Sequence, residues 1–205
     1  MNNRLEALLS VVITCCAVAV AATSVQQRVA SGKAPSIRPP EQVATADWDE
    51  LRSNGSPIGS RDARVLFVEF GDYQCPFCRL FHEAIDVLST EFPHQVSLVY
   101  YHYPLPNHAH AEAAARGAIC AERQGQFAEF NSSMFSEQDS IGKKAWISFA
   151  VSAGIPDTAR FSECLRSDST AIRVDADRAL ARRLSVSATP TVILNGWRFS
   201  ATPRV

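Results

Sequence analysis

The sequence has almost no charge imbalance and lacks several patterns typical of common functions. Twenty Lys and Arg residues stand against 21 Asp and Glu residues, which leaves a net charge of −1. There is no basic patch interleaved with aromatic residues, no glycine-rich phosphate loop, no H-E-x-x-H pair and no repeat of fixed period. Such a chain has no field that favours nucleic acid or an anionic membrane surface. We therefore expect no nucleic-acid partner, no cofactor and no metal.

Cysteine is scarce, but its placement is informative. The chain has six cysteines. Two lie in the first apolar stretch, and the other four are Cys75, Cys78, Cys120 and Cys164. Four cysteines allow three disulfide connectivities. In an exported domain they favour two disulfides, whereas in a reducing cytosol they favour a metal site or transient catalysis.

The N-terminal segment bears on the compartment. Residues 7–22 carry no charge. This run is long for the apolar region of a signal peptide and short for a membrane span, and residues 19–21 offer a small-residue cleavage site. Residues 1–22 are therefore interpreted as a signal peptide or a membrane anchor, with a buried soluble helix as the alternative. Either of the first two predicts a domain outside the cytoplasm, in the periplasm or at the exterior of the cell envelope.

The charges on either side of this apolar segment instead favour a cytoplasmic domain. Three basic residues follow the segment before residue 39, whereas only Arg4 precedes it. The positive-inside tendency would then leave the domain in the cytoplasm if the helix is retained, although long domains translocate largely regardless of charge.

Residues 23–46 are poor in aromatics and contain three prolines. They predict a flexible linker, with an arm packed on the domain as the alternative.

The rest of the chain, residues 47–205, predicts one α/β domain. A short run of strand-forming residues at 65–70 is followed by a helical pattern that Pro76 opens and Pro93 closes. A second strand at 96–101, a helical block at about 107–184 and a final strand at 191–194 come next. Asn195-Gly196 favours a tight turn after which residues 197–199 pair back as a hairpin. This order predicts a parallel β-α-β crossover and a helical insertion.

Cys75-Pro-Phe-Cys78 lies where the first helix should begin. The first cysteine there meets unpaired N–H groups and the positive end of the helix dipole, which lower its pKa. A thiolate is the nucleophile of disulfide exchange, and a shielded second cysteine can resolve the mixed disulfide. The alternatives are half of a zinc site, for which no second C-x-x-C exists, and an inert structural disulfide. His108 and His110 begin a later helix and are interpreted as structural.

A longer pattern surrounds this pair. Glu69-Phe-Gly-Asp-Tyr-Gln-Cys75-Pro-Phe-Cys78, followed about 110 residues later by Thr189-Pro190, resembles the DsbA family of thioredoxin-fold thiol–disulfide oxidoreductases. The stretch that starts at His108 and the pair Cys120 and Cys164 resemble its anchored or secreted branch with a second cysteine pair. The resemblance covers about 55–200. It implies a thioredoxin fold with an inserted helical domain, and it implies that the family's C-terminal helix is missing, since this chain stops at Val205.

The resemblance also implies residue roles. Cys75 becomes the nucleophile and Cys78 the resolving cysteine. Pro190 becomes a cis-proline that faces the pair, and the backbone around Thr189 pairs with an extended substrate, although Thr189-Pro190 alone is typical of an ordinary strand start. Glu69, six residues before Cys75, becomes a buried proton shuttle with a raised pKa, or else a surface-facing strand residue.

Two further expectations follow from the resemblance. Cys120 and Cys164 are expected to form a structural disulfide in the helical domain, with two buried free thiols or a second redox centre as alternatives. Phe77 departs from the oxidase variant that has histidine between the cysteines, and it cannot donate a hydrogen bond to the thiolate. This puts a strongly oxidising character in question.

The sequence therefore predicts an extracytoplasmic thiol–disulfide oxidoreductase that introduces disulfides into exported proteins. Its substrates are thiol-containing proteins, and the resemblance implies reoxidation by a membrane partner of the DsbB or vitamin-K-epoxide-reductase type. One alternative is a reductase or isomerase that a membrane donor keeps reduced. Another is a non-catalytic, thiol-based metal-binding module.

Overall fold

The computed structural model describes residues 39–199. The predicted signal peptide or anchor at 1–22, most of the predicted linker and the last six residues lie outside the described part of the chain. In the part described, no helix is both long and apolar enough to cross a membrane.

Within residues 39–199, four strands and two helices come first, and a run of five helices then separates them from the last two strands. The strands are β1 (Glu41–Gln42), β2 (Ser56–Ile58), β3 (Val65–Gly71), β4 (Val96–His102), β5 (Thr191–Leu194) and β6 (Trp197–Arg198). The helices are α1 (Thr45–Asn54), α2 (Pro76–Glu91), α3 (Ala111–Glu122), α4 (Phe127–Ser136), α5 (Trp146–Ser152), α6 (Thr158–Arg166) and α7 (Asp168–Arg183), with a 3₁₀ turn at Gln138–Ser140.

The six strands form one sheet in the order β1-β6-β5-β3-β4-β2. β3 and β4 are parallel and are joined through α2, while β5 and β6 form an antiparallel hairpin. Asn195 and Gly196 both have positive φ, at 46° and 85°, as a two-residue hairpin turn requires. The predicted α/β class, the parallel crossover, the hairpin and the helical insertion are confirmed.

The start of the domain differs from the prediction. β1 pairs with β6, and the Val43 N–H donates to the Gly196 carbonyl at 2.8 Å. α1 follows and buries Leu51 completely. The predicted linker at 23–46 is therefore wrong from Glu41 onward. A sheet edge holds an added strand through backbone hydrogen bonds, and these do not require the apolar composition on which the prediction relied.

Alternation along β3 decides what faces the helical insertion. Leu66, Val68 and Phe70 pack on one face of the sheet with Leu51 of α1 and Leu180 of α7. Phe67 belongs to the opposite face, where its ring contacts Phe81 of α2 at a centroid distance of 5.9 Å. Since side chains alternate along a strand, Glu69 shares the face of Phe67 and lies between the sheet and the helices that follow the cysteines.

Candidate active site

The turn between β3 and α2 is built by Asp72. Its side-chain oxygen Oδ1 accepts from the Gln74 N–H at 2.7 Å, and its carbonyl accepts from the Cys75 N–H at 3.0 Å. Gly71 precedes it, because a Cβ there would lie 2.5 Å from the Tyr100 ring. The turn delivers Cys75 to the N-cap of α2, with Pro76 in the first turn of the helix, where a missing N–H costs nothing.

Both cysteines of the motif are free thiols and both are buried. In its protonated form the Cys75 sulfur donates to the Thr189 carbonyl, 3.4 Å away. The peptide bond between Thr189 and Pro190 is cis. Cys78 lies inside the first turn of α2, and its sulfur accepts from the Asp72 N–H at 3.4 Å. The turn after β3, the start of α2 and the loop before β5 thus converge on two sulfurs.

The two thiols have opposite acidities. A hydrogen bond from the Cys78 thiol is the main cause that lowers the pKa of Cys75 to about 5. Burial opposes this shift, whereas Thr189 and the N–H groups of Phe77 and Cys78 lower the pKa further. Burial raises the pKa of Cys78 well above its usual value, and donation to Cys75 raises it further. At neutral pH one sulfur is therefore a thiolate and the other a thiol, as the nucleophile and resolving residue of disulfide exchange require.

Glu69 is a completely buried carboxyl beside this pair. Burial raises its pKa to about 8, and the negative charge of Cys75 adds to the rise. The nearby Cys78 thiol lowers the pKa in part, yet neither Glu69 oxygen has a partner with hydrogen-bond geometry among residues 39–199. A neutral carboxyl at this depth holds a proton that it can give up.

Two residues of the helical insertion donate hydrogen bonds to the active-site turn. Gln138, in the 3₁₀ turn after α4, donates from Nε2 to the carbonyls of Tyr73 at 2.8 Å and Cys75 at 3.0 Å. Asn131 of α4 donates to the Tyr73 hydroxyl at 3.1 Å. Sequence reasoning missed both residues, because a lone polar residue in a helical block carries no sign of the loop it will reach.

The surface next to Cys75 is apolar. Phe77 is 65% exposed and Leu80 is 56% exposed on the first turns of α2. Large apolar side chains exposed beside a reactive sulfur are suited to contact an apolar partner.

The second cysteine pair lies elsewhere. A disulfide joins Cys120 of α3 to Cys164 of α6, with Cα atoms 5.8 Å apart and a sequence separation of 44 residues. Cys120 packs in the core of the insertion. This disulfide ties together two helices that are distant in sequence.

Metal-ligand clusters of three or more His, Cys, Asp or Glu side chains do not occur within residues 39–199. His82, four residues after Cys78, is buried with its ring stacked on Phe135 at a centroid distance of 4.9 Å. Its ring therefore takes part in core packing.

A model of the family described as Thioredoxin matches residues 52–204 of the chain. This chain belongs to the thioredoxin family. Its fold is that of DsbA-like thiol–disulfide oxidoreductases.

Solved structures agree with this assignment. BdbD from Bacillus subtilis, in its oxidised form, superposes with a TM-score of 0.64 at 21% identity over 79% of this chain and 89% of that one. A periplasmic thioredoxin-like protein from Salmonella enterica serovar Typhimurium gives 0.60 at 21% identity over 77% and 88%. DsbA2 from Pseudomonas aeruginosa gives 0.52 at 28% identity over 70% and 81%.

Curated relatives of this thioredoxin-family chain are named as sodium/proton antiporters. The Na(+)/H(+) antiporter NhaA 1 proteins of Mycolicibacterium gilvum and Mycolicibacterium vanbaalenii are 36% and 34% identical to it over 166 residues, which is 79% of this chain. The chain spans 27% of the length of these relatives. The likeness therefore concerns about a quarter of each antiporter and extends no transport activity to this chain.

In this thioredoxin-family fold the structure brings together five of the seven residues that the sequence singled out. They are the two thiols Cys75 and Cys78, the buried Glu69, and the cis pair Thr189 and Pro190. The other two form the distant disulfide.

Proposed function

We propose that this protein is an extracytoplasmic thiol–disulfide oxidoreductase that introduces disulfides into exported proteins through Cys75 and Cys78. The observation that carries the proposal is the opposed acidity of the two sulfurs, with the pKa of Cys75 lowered to about 5 and that of Cys78 raised. A stabilised Cys75 thiolate favours the reduced form of the pair, and a pair whose reduced form is stabilised is an oxidant.

The reaction starts from the oxidised pair. A substrate thiolate attacks the Cys75 sulfur, the Cys75–Cys78 bond breaks, and Cys78 leaves with the electron pair. Glu69, neutral because its pKa is raised to about 8, supplies a proton to this sulfur. A second substrate thiolate then attacks the substrate sulfur of the mixed disulfide. Cys75 leaves as a thiolate, which its low pKa makes easy. The substrate loses two electrons and the pair gains them.

Substrate binding is assigned to the loop of the cis-proline and the start of α2. The backbone around Thr189 is proposed to pair with an extended substrate chain, as in strand addition, which needs no particular side chains. Exposed Phe77 and Leu80 provide an apolar contact beside Cys75. Together these features suit unfolded, thiol-containing proteins as substrates.

Turnover requires the reduced pair to pass two electrons onward. We assign this role to a membrane redox partner of the DsbB or vitamin-K-epoxide-reductase type, outside the cytoplasm. The apolar segment at 7–22 supports this location as a signal peptide or an anchor. The thioredoxin-like protein of Salmonella enterica that shares this fold is periplasmic, which is consistent with this location.

A reductase or isomerase is the second candidate, and Phe77 is the observation that favours it. The side chain of this exposed phenylalanine offers no hydrogen bond or charge to the Cys75 thiolate. An enzyme of this kind would use the same sulfurs in the opposite direction and would need a membrane donor to keep it reduced.

The reduction potential of the pair in the full chain distinguishes these functions. Equilibration with glutathione buffers, followed by alkylation and mass spectrometry, measures it. We expect a value near about −120 mV, as for strong oxidants of this kind, whereas about −250 mV or lower would overturn the oxidase in favour of the reductase. A pair that never equilibrates as one two-electron couple would overturn both. If the potential supports the oxidase, mixed disulfides trapped with the Cys78→Ser variant in cell extracts identify its substrates.

A further inference from the structure

Asp72 is a buried carboxylate whose partners come from three places. Its side chain has no exposed surface. Oδ1 accepts from the Gln74 N–H, while Oδ2 accepts from the Leu105 N–H at 2.8 Å and from the His108 ring nitrogen Nδ1 at 2.7 Å. A buried charge is tolerated when it is paired and hydrogen-bonded, and this one has three donors.

The backbone of Asp72 is hydrogen-bonded to both cysteines, to the sulfur of Cys78 and to the backbone N–H of Cys75. Its N–H donates to the Cys78 sulfur at 3.4 Å, and its carbonyl accepts from the Cys75 N–H. A donor aimed at a sulfur favours the thiolate over the thiol. The orientation of Asp72 therefore matters most to Cys78, whose pKa burial has raised and which must lose a proton before it can attack.

His108 is the one side-chain donor among these three. The other two donors are backbone N–H groups and survive any side-chain substitution. His108 lies in the loop that leads from β4 into the helical insertion, and its side chain is 21% exposed. Because an ionised carboxylate only accepts hydrogen bonds, the nitrogen that faces Asp72 must carry a proton.

We propose that His108 is a positioning residue for Cys78: through the Asp72 side chain it fixes the N–H that donates to the Cys78 sulfur and so speeds the attack of Cys78 on a mixed disulfide. The proposal rests on the proposed function, since turnover requires the reduced pair to be reoxidised, and in that step Cys78 attacks a mixed disulfide on Cys75. It gives the first loop of the helical insertion a role in the redox chemistry of the thioredoxin sheet.

Oxidation of the reduced full-length protein by oxidised glutathione separates the two sulfurs. The Cys75 thiolate first attacks glutathione disulfide, which forms a Cys75–glutathione bond and releases one glutathione thiolate. Cys78 then loses its proton and attacks the Cys75 sulfur, which forms the internal disulfide and releases the second glutathione thiolate. Acid quenching and mass spectrometry at successive times give a rate for each step.

Four variants test the role of His108. His108→Ala removes the donor, His108→Asn places an amide nitrogen near the position of Nδ1, and His108→Gln places one further out. His110→Asn is the matched control, because only the backbone N–H of His110 contacts the turn, at the Gln74 side chain. We expect His108→Ala to slow the second step about fivefold to tenfold, the size of one lost ordinary hydrogen bond, with the first step within about twofold. His108→Asn and the control should stay close to the parent.

Equal slowing of both steps, or a lower free energy of unfolding with an unchanged second step, would overturn the proposal in favour of a merely structural histidine. Should His108→Ala fail to fold, a second step that is fast in His108→Asn and slow in His108→Gln supports the proposal, and equal rates in these two overturn it. Failure of the parent to oxidise a dithiol peptide would instead count against the proposed function, because the glutathione assay does not depend on it.

Discussion

The two cysteine pairs of this protein are alike in chemistry and opposite in setting. Cys75 and Cys78 are three residues apart, unbonded, and each hydrogen-bonded to a backbone group at the meeting point of three segments. Cys120 and Cys164 are 44 residues apart, bonded, and held between two helices of the insertion. A pair within one helical turn can open and close with little movement, whereas a pair on distant helices stabilises by restricting the unfolded chain.

The comparison also shows what makes a cysteine reactive here. The active pair is as well buried as Cys120, so exposure of the residue does not distinguish them. Their neighbours distinguish them, since hydrogen-bond donors at the helix start give Cys75 a low pKa and the buried acid Glu69 is proposed to supply a proton to Cys78. Reactivity in this fold therefore follows from polar neighbours rather than from access alone.

The largest expected effect separates the pairs by activity. Cys75→Ser should lower the rate of oxidation of a dithiol peptide by at least about a thousandfold, because without the Cys75 sulfur there is no Cys75–Cys78 disulfide for a substrate thiolate to attack. The double variant Cys120→Ser with Cys164→Ser should keep most of the parent rate. Comparable losses in both would mean that the distant disulfide belongs to the redox machinery.

The next prediction reverses the comparison. Removing both Cys120 and Cys164 should lower the free energy of unfolding by about 4 kcal/mol, because a cross-link over 44 residues removes that much entropy from the unfolded chain. Urea unfolding of oxidised samples measures it. Serine at 75 and 78 together is the matched control and should cost far less. A double variant as stable as the parent would contradict the structural role of the distant disulfide.

A third prediction concerns Glu69. Its folded pKa of about 8 lies above the ordinary value of 4.5, so between these pH values the folded state holds a proton that the unfolded chain releases. This contribution to stability is present at low pH and is lost as the pH rises through the window. Glu69→Gln lacks the carboxyl, so its advantage over the parent should grow from near zero at pH 4.5 to roughly 4 kcal/mol at pH 8.

Urea unfolding of the reduced proteins at several pH values gives this difference. The Cys75 thiolate is common to both proteins, so its own pH dependence cancels in the comparison. If the free energies of unfolding of the parent and the variant change in parallel between pH 4.5 and pH 8, Glu69 is ionised in the folded state. The same variant should resolve mixed disulfides more slowly, since it cannot exchange a proton with Cys78.

The smallest expected effect is a shift along the pH axis. The rate of alkylation of Cys75 by iodoacetamide should be half its plateau value at about pH 5 and constant above pH 6, because the reactive thiolate is fully formed there. Cys78 should stay unmodified at these pH values, as burial raises its pKa. A midpoint near the ordinary thiol value of 9 would show that Cys75 is no more acidic than an ordinary cysteine.

Local patterns explain why much of the fold was predictable. The strand at 65–70, the proline that opens α2 and the Asn195-Gly196 turn each specify their own backbone, and the structure has all three. β1 was missed because it consists of two residues that are strand only by pairing with β6. The second strand of the domain, Ser56–Ile58, was missed for a similar reason, since it contains a proline and pairs with β4 at the sheet edge.

The sequence by itself determined the reactive motif, its place after a buried strand and at the start of a helix, and the presence of a helical block between the strands. These follow from spacing and from residue conformational preferences, which act over a few residues. Only the tertiary structure decided that Thr189, Gln138 and His108 meet around the two cysteines and that buried Glu69 has no hydrogen-bond partner among residues 39–199. Those contacts join residues that are far apart in sequence, and the acidities of Cys75 and Cys78 depend on them because burial and hydrogen bonding are properties of the folded neighbourhood.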